Sequence, residues 1–272
     1  MKLKSRLLAT VAVAAMMFSV TGCEDMSKYP EPEFDKIIVL GSTSVQPYME
    51  ILAEEYKYAT GNIVNVQGGG SSAGITSATN GTCDLGMSSR ALKESEEVEY
   101  IVIAKDGLAV IVNPDNPISG LSLEQIRKIY TGEFTNWKQL GGDDEPINAI
   151  TREAGSGTRD GFSEAVMDGE KINAKFNTQN NNGAIKTLVA RNKGAVGYVS
   201  LGAADETVKR LDIDGVAATE ENVKAKKYGL FREFLVVFSD ELNEASQNFL
   251  DYILSPAAQA ELTKEGLISV VD

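Results

Sequence analysis

The chain contains no histidine. That removes the usual general base near neutral pH and the commonest metal ligand. A Ser-His or Cys-His nucleophile is therefore excluded. Cysteine is scarce as well: Cys23 and Cys83 are the only two in 272 residues, so no Cys/His zinc cluster can be assembled. No G-x-x-x-x-G-K-[ST] run occurs, which rules out a P-loop. Positive charge is in short supply, with 26 Lys and Arg against 39 Asp and Glu and a net charge of −13. An acidic body lacks the basic footprint that nucleic acid or anionic lipid requires, so no nucleic-acid partner is expected. With 43% hydrophobic residues, the composition is otherwise that of a globular protein long enough for one large domain or two of moderate size.

The first residues have the pattern of a targeting segment. Lys2, Lys4 and Arg6 precede the apolar run LLATVAVAAMMFSV (7–20), which is too short to span a bilayer comfortably and has the length of a signal-peptide core. Val20-Thr21-Gly22-Cys23 follows and resembles a bacterial lipobox. The expectation is a lipoprotein signal peptide over 1–22 and acylation of Cys23, palmitate included. That would give a membrane anchor in the cell envelope, facing periplasm or cell exterior. EDMSKYPEPEFD (24–35) is polar, carries two prolines and reads as a tether, so that 23–35 links anchor to body. Cys83 then has no partner and reads as a small buried residue.

From residue 36 the chain alternates strand and helix signals. IIVL (37–40) is a continuous apolar run ending at Gly41, as in a buried parallel strand. A helix is expected to start at Pro47 and stop at Gly61, with Tyr48, Leu52 and Tyr56 on one face. NIVNVQ (62–67) and CDLGMSSR (83–90) read as further strands around a short helix. Beyond them, GLAVIVNPDNP (107–117), PINAIT (146–151), AVGYVS (195–200) and YGLFREFLVVF (228–238) supply strands. Helical patterns follow Ser122, whose Gln125 completes a capping box. Others run from the 155–158 loop through Phe162, Ala165 and Val166, over 181–194, and over 241–254 and 256–264. The pattern is α/β with a parallel sheet.

Three loops share one design: each leaves an apolar strand, is rich in Gly, Ser or Thr, and opens a helix. They are Gly41-Ser42-Thr43-Ser44, Gly68 to Gly74 (GGGSSAG) and Gly155-Ser156-Gly157-Thr158, with Arg90 and Arg152 close in sequence. A helix N-terminus offers free N–H groups and about half a positive charge. Three of them at the carboxyl ends of parallel strands would form an anion site without a metal. Hydroxyls add donors, and arginine adds a fork that fits a tetrahedral oxyanion. Singly, such loops are also ordinary caps and turns. Gly70-Ser71-Ser72-Ala73-Gly74 matches the nucleophile elbow of hydrolases. A serine hydrolase is nevertheless disfavoured, because no histidine can act as its base and no S-x-x-K pattern accompanies these serines.

GSTSVQPYMEILAEEY, VQGGGSSAGI, CDLGMSSR, REAGSGTR and GAVGYVSLG occur in this order and resemble the phosphate-binding proteins of bacterial phosphate ABC transporters, from about residue 36 to the C-terminus. The resemblance implies a type II periplasmic-binding-protein fold of two lobes, each a mostly parallel sheet flanked by helices, with the ligand in the cleft. Lobe 1 would comprise 36–109 with 229–272, and lobe 2 would comprise 110–228. It further implies a monomer that binds inorganic phosphate by lobe closure and delivers it to ABC permease subunits, with no cofactor, no metal and no catalysis.

Carried over by position, the phosphate-binding residues would be Thr43 and Ser44, Ser71 and Ser72, Ser89 and Arg90, and Arg152, Ser156, Gly157 and Thr158. Where some family members carry an aspartate that accepts the ligand's proton, this chain has Ser89. Another acidic position is Ala154 here. Ser89 retains lone pairs to accept with, while Glu153 and Asp160 are candidates either for acceptor or for arginine partner. Arg90 and Arg159 also read as salt-bridge residues. Alternatives are binding of another tetrahedral oxyanion such as sulfate or molybdate, and a sensor or scavenger without a permease.

Overall fold

The structure is a computed structural model that describes residues 34–239 and 241–271. The expected signal segment, Cys23 and the tether up to residue 33 lie outside the described residues. No helix among the described residues is long and apolar enough to cross a membrane.

The chain begins with two strand-helix units. Strand β1 (Lys36–Gly41) buries Ile37 and Val39 on alternate positions. Helix α1 (Gln46–Thr60) has its proline in the first turn and ends on Gly61, whose φ of 83° is left-handed. Its buried face carries Tyr48, Leu52 and Tyr56 at the expected helical spacing. Strand β2 (Ile63–Gly68), helix α2 (Ser71–Thr79) and strand β3 (Leu85–Ser88) follow, and β2 and β3 pair parallel to β1 on its two sides. Helix α2 rides directly on the sheet at Gly74: a Cβ there would lie 2.6 Å from the Met87 carbonyl oxygen and 2.7 Å from that of Leu40.

Strand β4 (Glu99–Val112) is 14 residues long, beginning well before the apolar run that marks it in the sequence. After it come β5 (Gly120–Leu121), α3 (Leu123–Thr131), β6 (Asn148–Arg152) and α4 (Gly157–Phe162). The Ser122 capping box on α3 is present with both of its hydrogen bonds. α4 does not continue as an α-helix through Ala165 and Val166. It passes into a π turn over Ser163–Met167, so the expectation for this segment is corrected. The chain goes on through β7 (Asn177–Gln179), α5 (Asn182–Arg191), β8 (Ala195–Ser200), β9 (Lys209–Arg210), β10 (Asp212–Ile213) and α6 (Glu220–Lys224). It closes with β11 (Phe231–Phe238), α7 (Glu244–Ile253) and α8 (Pro256–Lys264).

The main sheet runs in the order β2-β1-β3-β11-β4-β8-β6-β7. The β6–β7 and β6–β8 pairs are parallel, like those around β1, whereas β11 is antiparallel to both β3 and β4. β4 is the continuous element: its first part pairs with β11 and its last five residues pair with β8. One hydrophobic cluster gathers buried residues from Leu108 to Leu230, including Trp137, Tyr130, Phe162 and Tyr198. A second gathers Ile37 to Ala104 together with Phe234 to Leu267. Each fully buried Val, Leu or Ile in them contributes about 1.5–3 kcal/mol. Cys83 belongs to a third, smaller cluster with Ile75 and Leu235, and burial pushes its thiol up to about 11.

Candidate anion site

The three loops meet. Each lies at the carboxyl end of a parallel-paired strand, after β1, β2 and β6; through β11, β4 and β8 the strand β6 runs antiparallel to β1, so the third loop approaches the first two from the opposite half of the sheet. Gly41 makes the first turn possible: a Cβ there would sit 2.2 Å from the Met87 carbonyl oxygen, and its φ of 148° suits only glycine. The second and third loops are tied by the Ser72 N–H, which donates to the Gly155 carbonyl over 3.1 Å.

Around this meeting point stands a buried cluster of hydroxyls. Ser44 Oγ and Thr158 Oγ1, 114 residues apart in sequence, lie within 2.8 Å. Ser42 Oγ donates to Ser89 Oγ over 2.8 Å, and Ser71 Oγ is 3.3 Å from Ser89 Oγ. The Ser89 N–H donates to Ser71 Oγ over 3.1 Å. Gly157 presses into the same space: a Cβ on it would lie 2.4 Å from Ser71 Oγ and 2.5 Å from Ser89 Oγ.

Arg152 is the cation of the cluster and is 1% exposed. Its Nη2 donates to Thr43 Oγ1 over 3.1 Å, while its Nη1 reaches Thr158 Oγ1 at 3.3 Å and Asn182 Oδ1 at 3.4 Å. Glu153 takes its Nε at 2.8 Å and its Nη2 at 2.9 Å. Glu153 therefore serves as an arginine partner. The Tyr198 hydroxyl accepts the Arg152 N–H over 3.2 Å and fixes the end of β6. Tyr198 is itself locked by a stacked contact with Phe162 at 4.0 Å, and its burial raises the phenol's pKa above the ordinary range.

Three of the expected residues stand outside this inner ring. Arg90 is occupied by Glu96 through two 2.7 Å hydrogen bonds and lies 3.1 Å from an Asp160 oxygen. Ser72 Oγ accepts from Arg90 Nη2 over 3.1 Å. Ser156 caps α4, its Oγ accepting the Arg159 N–H. Asp160 is thus also an arginine partner, and the Arg159 guanidinium is engaged with the Arg152 carbonyl.

Four further residues belong to the cluster: Ser42, from the first donor loop, and three with no sequence signal of it, Asn182, Arg232 and Asp106. Asn182, beside the Asn181 that caps α5, donates to Ser44 Oγ over 3.0 Å. Arg232 on β11 and Asp106 on β4 form a buried pair. The Arg232 Nε and Nη2 donate to Asp106 Oδ2 over 3.1 and 2.9 Å, and its Nη1 points to Ser89 Oγ at 3.3 Å. Burial pushes the Asp106 carboxyl above its ordinary value, against the opposing pull of Arg232 and of Ser200, which donates to it over 2.8 Å. The adjacent charges of FREF give no sequence reason to place Arg232 inside; in the strand Phe231 and Glu233 are exposed while Arg232 and Phe234 are buried.

Each of the three buried arginines has its carboxylate, so the cluster carries little excess charge. What it offers an anion is a dense set of hydroxyl and backbone donors with one guanidinium fork at their centre. A groove of about 690 Å³ opens beside it, sharing Thr43, Ser44 and Asn182 and walled by Glu50, Glu153 and Glu265. No group of His, Cys, Asp or Glu able to hold a metal occurs among the described residues.

The family-model description "PBP superfamily domain" matches residues 28–257. The phosphate-binding protein PstS of Bacillus subtilis is 29% identical over 287 residues, covering 99% of this chain and 95% of its own. A structure from Clostridium perfringens, of a protein assigned as a phosphate ABC transporter substrate-binding protein with bound phosphate, is 43% identical with a TM-score of 0.85, covering 87% of this chain and 100% of that one. An ABC-type phosphate transport receptor from Vibrio cholerae is 39% identical with a TM-score of 0.73, covering 85% and 99%. The chain belongs to the PBP superfamily and, within it, to the phosphate-binding proteins that these relatives represent. The α/β fold expected from the sequence, a parallel-rich sheet with flanking helices, is the fold observed.

Proposed function

We propose that this protein binds inorganic phosphate at the junction of the three loops and delivers it to an ABC transporter permease. The observation that carries the reading is the convergence of Ser42, Ser44, Ser71, Ser89 and Thr158 with the Arg152 guanidinium in one buried cluster. Relatives named for phosphate binding, one of them with phosphate bound, support phosphate as the anion. The ligands would be the hydroxyls of that ring with Thr43, the backbone of Gly157 and Arg152. Ser72, Arg90 and Ser156 would hold the loops around it. The two hydrophobic clusters support a division into two lobes close to 36–109 with 229–272 and 110–228, with Leu108, Ala109 and Leu230 packing in the cluster of the 110–228 lobe and β4 running through both. Closure of the lobes would trap the anion and create the face a permease reads.

The protein acts without catalysis. Among the described residues Ser71 Oγ has only Ser89 as its partner, and Ser72 Oγ receives a hydrogen bond from an arginine, which cannot take a proton. Neither serine has the base a nucleophile needs. The protein works as a monomer, lipid-anchored through Cys23 and facing the periplasm or the cell exterior.

Isothermal titration of full-length protein with phosphate, repeated in excess sulfate at pH 6 and pH 8, tests the site. Tight phosphate binding that survives sulfate supports the reading, and displacement by sulfate moves it to general oxyanion capture. No heat with either anion sinks it. Radiolabelled palmitate incorporation, lost in Cys23→Ala, tests the anchor.

A further inference from the structure

Ser89 stands where a proton acceptor would separate phosphate, which keeps a proton near neutral pH, from sulfate, which does not. Its hydrogen bonds decide whether it can accept. A hydroxyl oxygen has one proton to give and two lone pairs to accept with. Ser42 Oγ donates to Ser89 Oγ over 2.8 Å, and that direction is consistent with the Ser44 N–H donating to Ser42 Oγ over 3.2 Å. Arg232 Nη1 donates to Ser89 Oγ over 3.3 Å, and a guanidinium can only donate. Both lone pairs are then filled. The Ser89 proton is left for Ser71 Oγ at 3.3 Å or for an anion.

Arg232 is held to this task. Asp106 Oδ2 takes its Nε and Nη2, which leaves Nη1 as the nitrogen facing Ser89. Asp106 is fixed in turn by the Ser200 hydroxyl on its other oxygen. Both members of the pair are buried, Arg232 at 6% and Asp106 at 1% exposure, so neither is free to turn to solvent. The backbone adds a second restraint, since Asp106 and Arg232 are register partners across the β4–β11 ladder.

We infer that Arg232, aimed by Asp106, is a specificity-determining positioning residue that makes Ser89 a hydrogen-bond donor to the bound anion and denies it the role of proton acceptor. The inference rests on the phosphate reading above. It assigns Ser89 the same contact with a protonated and an unprotonated tetrahedral anion, so any preference for phosphate must come from elsewhere in the site.

The test measures phosphate and sulfate affinities of the full-length protein, sulfate by competition against phosphate, in the wild type, S89A and R232K. With Ser89 a donor, S89A weakens both anions by the same factor, roughly tenfold for one lost hydrogen bond to a charged ligand, and their ratio stays put. R232K keeps a cation against Asp106 but withdraws the nitrogen from Ser89 and frees a lone pair, so phosphate gains on sulfate severalfold. A fall in the phosphate-to-sulfate ratio in S89A overturns the inference, as does an R232K variant that weakens both anions in step, the signature of a structural role only. R232K speaks even if S89A does not fold. These outcomes leave the phosphate reading standing. A wild-type protein that binds neither anion removes that reading and this inference with it.

Discussion

Glu96 and Arg90 face each other as a two-pronged pair, Nη1 to Oε2 and Nη2 to Oε1, each at 2.7 Å. Arg90 is the residue after Ser89, and its Nη2 also supports Ser72, so the pair sits against the second loop. Glu96 cancels the charge that would otherwise look into the site. Its own carboxyl is held below the ordinary range, chiefly by the hydrogen bonds from Arg90. Glu96→Gln leaves Arg90 opposed only by Asp160. Anion affinity should then rise roughly two- to fivefold at low ionic strength, and the gain should shrink as salt is added. Stability should fall by about 1–3 kcal/mol for the lost charged hydrogen bonds. Titration calorimetry at two salt concentrations with parallel urea melts checks both, and unchanged affinity at low salt would place Arg90 outside electrostatic reach of the ligand.

Acid stability has a separate handle at Asp205. Lys186 on α5 lies 2.6 Å from its carboxylate, and with the Thr207 hydroxyl this holds the carboxyl down to about 2. In the unfolded chain an aspartate titrates near 3.9. Because the folded value is the lower one, the pair's contribution is present above about pH 4 and is lost as pH falls toward 2. The pair is partly exposed, so its worth is below about 1 kcal/mol. Asp205→Asn should therefore be slightly less stable than wild type at pH 7, with the gap closing between pH 4 and pH 2. Urea melts across that range check it, and a gap that widens in acid would reverse the assignment.

Arg152 cannot be replaced by another cation. Its fork serves Thr43, Thr158, Asn182 and Glu153 at once, and a lysine ammonium is a single point with no such geometry. Arg152→Lys should weaken phosphate binding roughly 30-fold or more, the scale for truncating a buried hydrogen-bonded charge. Calorimetry checks the affinity, and circular dichroism checks that the loss is not unfolding.

The parts of this molecule that could be read in the sequence are those governed by local rules. IIVL, AVGYVS and the Tyr48–Leu52–Tyr56 face carry their own periodicity, and Gly61 and Ser122 mark helix ends through backbone chemistry confined to a few residues. The three loops were legible because strand, small residues and helix follow one another directly. What stayed hidden depends on distant partners. The middle of β4 contains Lys105 and Asp106, which break the apolar run, and Asp106 is tolerated inside only because Arg232, 126 residues away, pairs with it. Arg232 had the same difficulty from the other side. Asn182 lies in a run of asparagines that reads as a cap, and only the fold turns it onto Ser44, 138 residues earlier. The role of Arg90 depended on Glu96 folding back over it, which an acidic run in a sequence does not announce.

Gly157 gives the most direct test of how tightly the three loops close. In its helical position a glycine has no conformational need of its own, so its smallness must serve packing. A Cβ would lie 2.4 Å from Ser71 Oγ, 2.5 Å from Ser89 Oγ and 2.9 Å from the Ser89 carbonyl carbon. The hydroxyls could rotate away, but the backbone carbon could not. The third loop would have to back off from the second, opening the Ser72–Gly155 hydrogen bond and parting Thr158 from Ser44. Gly157→Ala should therefore cost about 1–3 kcal/mol of stability, as overpacking does. Phosphate affinity should fall by at least roughly tenfold, because the donors no longer converge. Gly229→Ala is the control, since nothing lies within 4 Å of its Cβ position. It should leave affinity unchanged. If G157A bound phosphate as tightly as the control, the loops would be shown to yield, and the cluster would not be the rigid cradle that its hydrogen bonds describe.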